Sequence, residues 1–273
     1  MTHEMQTNPR SYLFTLSAGR TGTAWLADFL AANLAVEAIH EPLDIADFGV
    51  RMPDIKLMRT FNDLGSTELV RSFWRHKFTE ISHLKSYIET NHTLAKCGLI
   101  ENLAVSDINH KSCIIILKRR LQDQCKSYIS RHDFSNITLQ WQWYLTHHYN
   151  NNILPFELFE NLGFIGHPIW YAFEMEARQV FYQKIYSKEL KFIEENIDDL
   201  NKTENASQFL SAFGIKGDPI FPPRANEQSH PVSPEMSAYV ETVFSNLSIN
   251  IEEIVARFID SGKTLDQSPH SGI

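Results

Sequence analysis

Cysteine is scarce in this chain: three residues among 273, at Cys97, Cys113 and Cys125. An odd number with no Cys-x-x-Cys pair indicates neither a disulfide framework nor a zinc site. Long apolar runs are missing as well, and none approaches the ~20 residues that a membrane-spanning helix needs. The opening MTHEMQTNPR is polar and carries no secretory pattern. The expectation is a reducing, cytoplasmic setting, in which the Asn-x-Ser/Thr triplets at Asn91, Asn136, Asn201, Asn205 and Asn246 arise by chance. Positive charge is also in short supply. With 25 Lys and Arg against 33 Asp and Glu, the net charge is −8. That balance argues against nucleic acid or an anionic membrane as the main partner, so any anionic ligand must be held by a local cluster of donors. His147-His148 and the other histidines lack metal-ligand spacing and read as surface or satisfied core residues, with no metal expected.

What is present is an ordinary globular composition, 43% hydrophobic and 21% charged, long enough for a substantial core. No internal repeat or low-complexity linker divides the chain. The economical reading is a single α/β domain over residues 1–273, with about the last dozen residues frayed.

SYLFTLS (11–17) is a compact apolar run suited to a strand buried on both faces. GTAWLADFLAANL (22–34) carries a helical apolar stripe, and VEAIHEP follows as a short strand stopped by Pro42. Together they form a β-α-β unit, the signature of a parallel sheet. Residues 65–95 read as helical and polar-aromatic. SCIIILKRR (112–120) is the strongest strand signal and LQDQCKSYISR continues it as a helix. IWYAFEMEARQVFYQKIYSKE reads as a long helix whose aromatics face the core, and ELKFIEENIDDL as a strand and turn. A helix from about Asn205 to Phe213, a proline-rich irregular segment, and one or two helices over 234–261 complete the chain.

The turn between the first strand and helix reads SAGRTGTAW. Such a turn points free backbone N–H groups at one spot, at the positive end of a helix dipole. Gly19 and Gly22 allow close approach of an anion, Thr21 and Thr23 add hydroxyls, and Arg20 adds a permanent, forked charge. A nucleoside-triphosphatase loop would have Gly-Lys-Ser/Thr at its end, but Gly22 is followed by Thr23. The lysine of phosphoryl-transfer machinery is missing.

At these residues the chain resembles the sulfotransferases that use PAPS, an adenylyl sulfate bearing a 3′-phosphate. Their 5′-phosphosulfate loop commonly reads Lys-Ser-Gly-Thr-Thr-Trp, and in many bacterial and carbohydrate-modifying members Gly-Arg-Ser-Gly-Thr. The resemblance implies that Gly19, Arg20, Thr21, Gly22, Thr23, Ala24 and Trp25 bind the 5′-phosphosulfate, with Ala24 standing where cytosolic members have a second threonine. The family places an arginine at a later strand tip and a serine eight residues on. IIILKRRLQDQCKSYISR supplies Arg119 and Ser127 at that spacing, with Tyr128 following the serine. Ser127 lies about two helical turns along, so both can reach one phosphate. The family's proline after the arginine pair is absent, which leaves Arg120 as the alternative register.

The resemblance further implies a general base near the tip of the strand after the first helix, where AIHEPLD offers His40 and Glu41. On a strand the two would point to opposite faces, so one of them faces the sulfuryl group. Carbohydrate- and tyrosine-modifying members use a glutamate and small-molecule cytosolic members a histidine. The His-Glu-Pro form leans toward Glu41. A carboxylate of ordinary pKa is a weak base, so burial near Trp25 or a similar group has to raise it; equally, Glu41 could pair with a base such as Arg20. PPRANEQS resembles the late loop that closes over the 3′-phosphate and adenine, which offers Arg224. The implied fold is a P-loop-type three-layer α/β domain with a central parallel sheet. The implied reaction moves a sulfuryl group from PAPS to a hydroxyl or amine, leaving PAP, without a required metal. The expected partner is a small-molecule or carbohydrate-like acceptor, but residues 43–95 and 130–175, expected to shape its pocket, suit sugars, lipids, phenols and peptides alike and leave its identity open. Two alternatives stand beside this reading: a P-loop small-molecule kinase, needing ATP, magnesium and a liganding aspartate, and a catalytically silent nucleotide-binding or scaffold protein.

Overall fold

A computed structural model describes residues 12–42, 44–135, 144–223 and 231–266. Five strands form one parallel sheet: β1 (Tyr12–Leu16), β2 (Ala38–Ile39), β3 (Tyr87–Glu89), β4 (Ser112–Lys118) and β5 (Lys191–Asn196), in the order β2-β3-β1-β4-β5. β1 is buried along its whole length. It lies between β3 and β4, in register with β4 from Tyr12↔Ser112 to Leu16↔Ile116. Interior parallel strands are covered on both faces and read as continuous apolar runs, which is why YLFTL and CIIIL stand out in the sequence.

Alternate side chains of β1 and β4 feed two cores. Leu13, Cys113, Ile115 and Leu117 face α1 (Thr23–Leu34) and a later helix, Thr203–Ser211, through Trp25, Leu26, Phe29, Phe209 and Leu210. Phe14, Leu16, Ile114 and Ile116 face the larger core on the other side. That core is built by α2 (Ile55–Leu64), α3 (Glu68–Ser82), α4 (Leu99–Ala104), α5 (Leu121–Ser130), the long α6 (Gly166–Tyr186), α8 (Pro234–Asn246) and α9 (Ile251–Asp260), while Thr203–Ser211, on the opposite face, is α7. Helices on both faces of a parallel sheet make the domain α/β. The helices after β1 and β4 cover opposite faces, so the chain parts between the carboxyl ends of these adjacent strands. In open α/β sheets that crevice is the usual place for a ligand.

The elements expected at 11–17, 22–34 and 112–120 are present; the long helix expected over 169–189 runs from Gly166 to Tyr186, and the region 234–261 forms two helices. The helix expected over 205–213 runs from Thr203 to Ser211. One reading needs correction: residues 65–95 are not helical throughout. α3 ends at Ser82, and Tyr87–Glu89 forms β3, inserted between β2 and β1. With three residues and a glutamate at its end, β3 has neither the length nor the alternation that marks a strand. α2 and α4 were also unread. The aromatics of α6 are core as expected, with Trp170, Tyr171, Phe173, Phe181 and Tyr182 buried. The cysteines are all free and buried, and no described helix is long and apolar enough to cross a membrane.

Candidate functional site

The turn after β1 carries two left-handed backbone conformations, Arg20 at φ 64° and Gly22 at φ 95°. This region disfavours ordinary L residues, so the conformation at Arg20 has to be enforced by its surroundings. Tyr128 Oη of α5 donates to the Gly19 carbonyl at 2.6 Å, and the Gly19 N–H donates to Tyr171 Oη of α6 at 3.2 Å. The Thr21 hydroxyl turns back onto the Ala18 carbonyl inside the turn, while Arg119 Nη1 donates to the Arg20 carbonyl at 3.1 Å. Gly22 is the N-cap of α1, which has no side-chain cap and no acidic residue in its first turn. The first N–H groups of α1 are therefore left to an external acceptor, with the positive end of the helix dipole behind them.

The two glycines have different steric reasons. A Cβ at Gly19 would lie 2.7 Å from Tyr144 Cε1, and one at Gly22 would lie 2.8 Å from Ile197 Cγ1 besides being strained at its positive φ. Tyr144 is wedged among Tyr128, Phe134 and Tyr171, with ring centroids 4.9–5.6 Å away. Its hydroxyl donates to Asp133 Oδ2 at 3.0 Å. The segment that follows Tyr144 is pinned by a buried pair on α6, Glu174 and Arg178, 2.7 Å apart. Glu174 accepts the N–H groups of Ile153 and Leu154, and Arg178 donates to the Asn151 carbonyl.

Arg119 and Arg120, adjacent in sequence, part company at the tip of β4. Arg119 reaches the β1 turn. Arg120 is 51% exposed and pairs with Glu241 of α8 at 2.6 Å, on the outside of the molecule. Ser127 is buried in α5 beside Tyr128, the residue that holds Gly19. Arg20 projects toward Asp133, with Nε 3.7 Å from Oδ2. Burial raises the pKa of Asp133, while Arg20, the Tyr144 hydroxyl and Arg131 act the other way.

His40 and Glu41 lie just past the end of β2, and the expected strand alternation does not apply to them. Glu41 has φ 42°, and the two side chains face each other, with His40 Nε2 3.9 Å from Glu41 Oε2. His40 Nδ1 lies 2.8 Å from the Thr90 carbonyl, which can only accept; Nδ1 therefore carries a proton. The other Glu41 oxygen, Oε1, faces His92 Nε2 at 3.4 Å. Burial raises the pKa of Glu41, opposed by His40, Lys96, the His92 main-chain N–H and Arg20. The elevation that the sequence demanded of a base is thus present, but its surroundings come from the β3 side. Trp25 instead stacks on Phe29 at 5.0 Å and reaches the Pro222 carbonyl at 3.4 Å. The alternative pairing of Glu41 with Arg20 is not formed; Arg20 meets Asp133. Thr90 Oγ1 donates to the Thr23 carbonyl at 2.8 Å, tying the end of β3 to the start of α1.

The structure therefore brings together Gly19, Arg20, Thr21, Gly22, Thr23 and Ala24 in one turn, joins Arg119 to it, and sets Glu41 and His40 two strands away across β3. Arg224 lies outside the described residues. Sequence reasoning missed His92, Lys96, Asp133, Tyr144 and Tyr171. The first two follow β3, the strand that went unread; the two tyrosines had been counted as part of an aromatic core or a pocket wall. Among the described residues no group of three or more His, Cys, Asp or Glu side chains is placed to hold a metal ion.

No family model matches the chain, and no curated protein matches it in sequence. Among solved structures it is similar to a sulfotransferase from Alicyclobacillus acidocaldarius, at 14% identity and a TM-score of 0.48, over 92% of this chain and 96% of that one.

Proposed function

We propose that this protein is a PAPS-dependent sulfotransferase. The observation that carries the reading is the junction of β1 and β4. Two adjacent parallel strands end side by side, the first in a turn that opens the uncapped α1, the second in Arg119, whose guanidinium reaches the carbonyl of Arg20. Two permanent positive charges and a set of free N–H groups at one crevice suit a ligand with two separated phosphates. A nucleoside triphosphate would call for a lysine after Gly22, where Thr23 stands.

In this reading the α1 N–H groups and Arg20 hold the 5′-phosphosulfate and steady the charge that grows on the leaving phosphate. Arg119 and Ser127 hold the 3′-phosphate; Arg120 is engaged with Glu241. Glu41 takes the proton from the acceptor hydroxyl or amine. The acceptor atom bonds to sulfur as the sulfur–oxygen bond to the 5′-phosphate breaks, and that electron pair stays on PAP. Glu41 is favoured over His40 because it is the more enclosed of the two, with a side chain 15% exposed against 32%, and because burial already raises its pKa.

The test is a thermal-shift series with PAP, PAPS and ATP with magnesium, on the wild type and on Arg20→Ala and Arg119→Ala. Stabilisation by PAP and PAPS that both variants lose is expected, followed by transfer from labelled PAPS across an acceptor panel. Stabilisation by ATP and magnesium without PAP would overturn the reading in favour of a kinase. PAP binding without transfer to any acceptor would favour the silent nucleotide-binding protein.

A further inference from the structure

One buried lysine links the β1 turn to Glu41. Lys96 sits in the short 3-10 turn Leu94–Cys97 after β3 and is fully buried. Its Nζ donates to His92 Nδ1 at 2.8 Å and to Tyr171 Oη at 3.1 Å, and lies 5.5 and 5.4 Å from the ring centres of Tyr144 and Tyr171. Tyr171 Oη takes the Gly19 N–H from its other side. The imidazole of His92 then passes the line onward, with Nε2 facing Glu41 Oε1. Lys77 offers a contrast on the same face of the sheet: equally buried, it donates straight to Glu89 at 2.7 Å. Lys96 acts on its carboxylate through an imidazole instead.

An ammonium group can only donate. With Lys96 charged, His92 Nδ1 must accept, and the ring proton is confined to Nε2, the nitrogen that faces Glu41. We propose that Lys96 is a positioning residue for the transfer reaction: it fixes His92 as the Nε2–H tautomer and so presents a donor that steadies the Glu41 carboxylate in its proton-accepting form. This rests on the reading of Glu41 as the base. At 3.4 Å the His92–Glu41 contact is longer than a formed hydrogen bond, as catalytic contacts often are before substrate tightens them.

The device is sensitive to pH. Burial lowers Lys96 to about 7; Cys97 and Glu41 hold it up, and Arg178 of α6 presses it down. A neutral amine can also accept a hydrogen bond, so loss of the charge releases the tautomer. Burial, followed by Lys96, His40 and Arg20, keeps His92 far below its ordinary value, hence neutral. Tyr144 and Tyr171 pack against the ammonium, both with pKa values raised by burial.

The experiment compares the wild type with Lys96→Met, which cannot donate, and Lys96→Arg, which can only donate and keeps its charge at every working pH. Nitrogen-15 spectra of histidine-labelled protein, with His92 assigned by its loss in His92→Gln, should show the Nε2–H form in the wild type and Lys96→Arg, and a mixture in Lys96→Met. With labelled PAPS, Lys96→Met should lower kcat about tenfold, a share of the roughly hundredfold or more that a positioned acid–base group supplies. KM for PAPS should stay unchanged. Lys96→Arg should recover most of the rate while losing the limb of the pH profile near neutrality. A pure Nε2–H signal in Lys96→Met, or a wild-type rate and profile in that variant, would overturn the proposal. If the wild type transfers no sulfate at all, the functional reading fails, and the tautomer spectra still decide whether Lys96 governs His92.

Discussion

At the ends of β1 and β4 the candidate site is made of main-chain N–H groups and arginines; at the ends of β2 and β3 it is made of buried groups that titrate. The first region holds Arg20 and Arg119, whose charge persists at any working pH, around an uncapped helix end whose partial charge is equally fixed. The second holds Glu41, His92 and Lys96, whose protonation depends on burial and on their charged neighbours, with His40 beside Glu41. Binding a phosphate asks for constant charge in a fixed frame. Moving a proton asks for a group whose charge can change. The two chemistries sit at neighbouring pairs of strand ends and meet where β3 lies beside β1.

The sharpest way to test the division is to disable the second region alone. Glu41→Gln keeps shape and hydrogen-bonding capacity but cannot accept the proton. Sulfuryl transfer is expected to fall by about a hundredfold or more, with the thermal shift produced by PAP unchanged. His40→Asn should cost far less, because the His40 ring is already committed to the Thr90 carbonyl through Nδ1. Equal losses in the two variants would show that the base is shared or lies elsewhere.

The converse variant disables the first region. Arg119→Ala removes a charged donor from both the Arg20 carbonyl and the proposed 3′-phosphate. Loss of a charge-assisted hydrogen bond of about 1.5–3 kcal/mol predicts PAP binding weaker by roughly ten- to a hundredfold. The loss should be the same at pH 6 and pH 8. Arg120→Ala should leave affinity within about twofold, since an exposed ion pair with Glu241 is worth little. A larger effect from Arg120 than from Arg119 would reverse the register.

The same division explains what could be read from the sequence. The phosphate turn is local: strand, glycines, arginine and helix follow within a dozen residues, and Arg119 and Ser127 lie on one strand-helix junction. Their chemistry shows in spacing. The titrating region is not local. Glu41 was legible as one of two neighbours at a strand end. Choosing between them needed β3, whose three residues give no periodic signal, and Lys96, which looks like any lysine until its burial is known. Alternation failed at His40 and Glu41 because both sit beyond the strand that would have imposed it. Tyr171 reads as a core aromatic and is one, and Tyr144, which falls in the region expected to shape an acceptor pocket, is core as well; that their hydroxyls also meet Gly19 and Asp133 depends on tertiary packing alone.

The frame of the first region can be tested without touching a charge. At Gly19 the added methyl of alanine would meet Tyr144 at 2.7 Å. The Tyr144 ring is hemmed in by three other aromatics and cannot yield cheaply. Overpacking of this kind costs about 1–3 kcal/mol, so Gly19→Ala should lower Tm by several degrees. It should also weaken PAP binding. The Gly19→Ala, Tyr144→Phe double variant keeps the ring and should not recover, whereas Tyr144→Leu in the same background should recover part of the loss.

The smallest expected effect comes from the second region and concerns stability. Lys96 has a folded-state pKa of about 7 against an ordinary value of 10.5. Between those values the unfolded chain binds more protons than the native one, so this group makes stability rise with pH above 7. Glu41 acts in the opposite direction at lower pH: its pKa is raised on folding, so stability falls as pH climbs from the ordinary carboxylate range through the raised value. The two slopes belong to different windows and can be separated by variants. Comparing Tm of the wild type and Lys96→Met at several pH values from 6.5 to 8.5 should show the wild type gaining a few degrees on the variant. Comparing wild type and Glu41→Gln from pH 4.5 upward should show the wild type losing ground. The arginine variants of the first region should shift Tm equally across both windows, because a guanidinium binds the same proton in the folded and the unfolded chain.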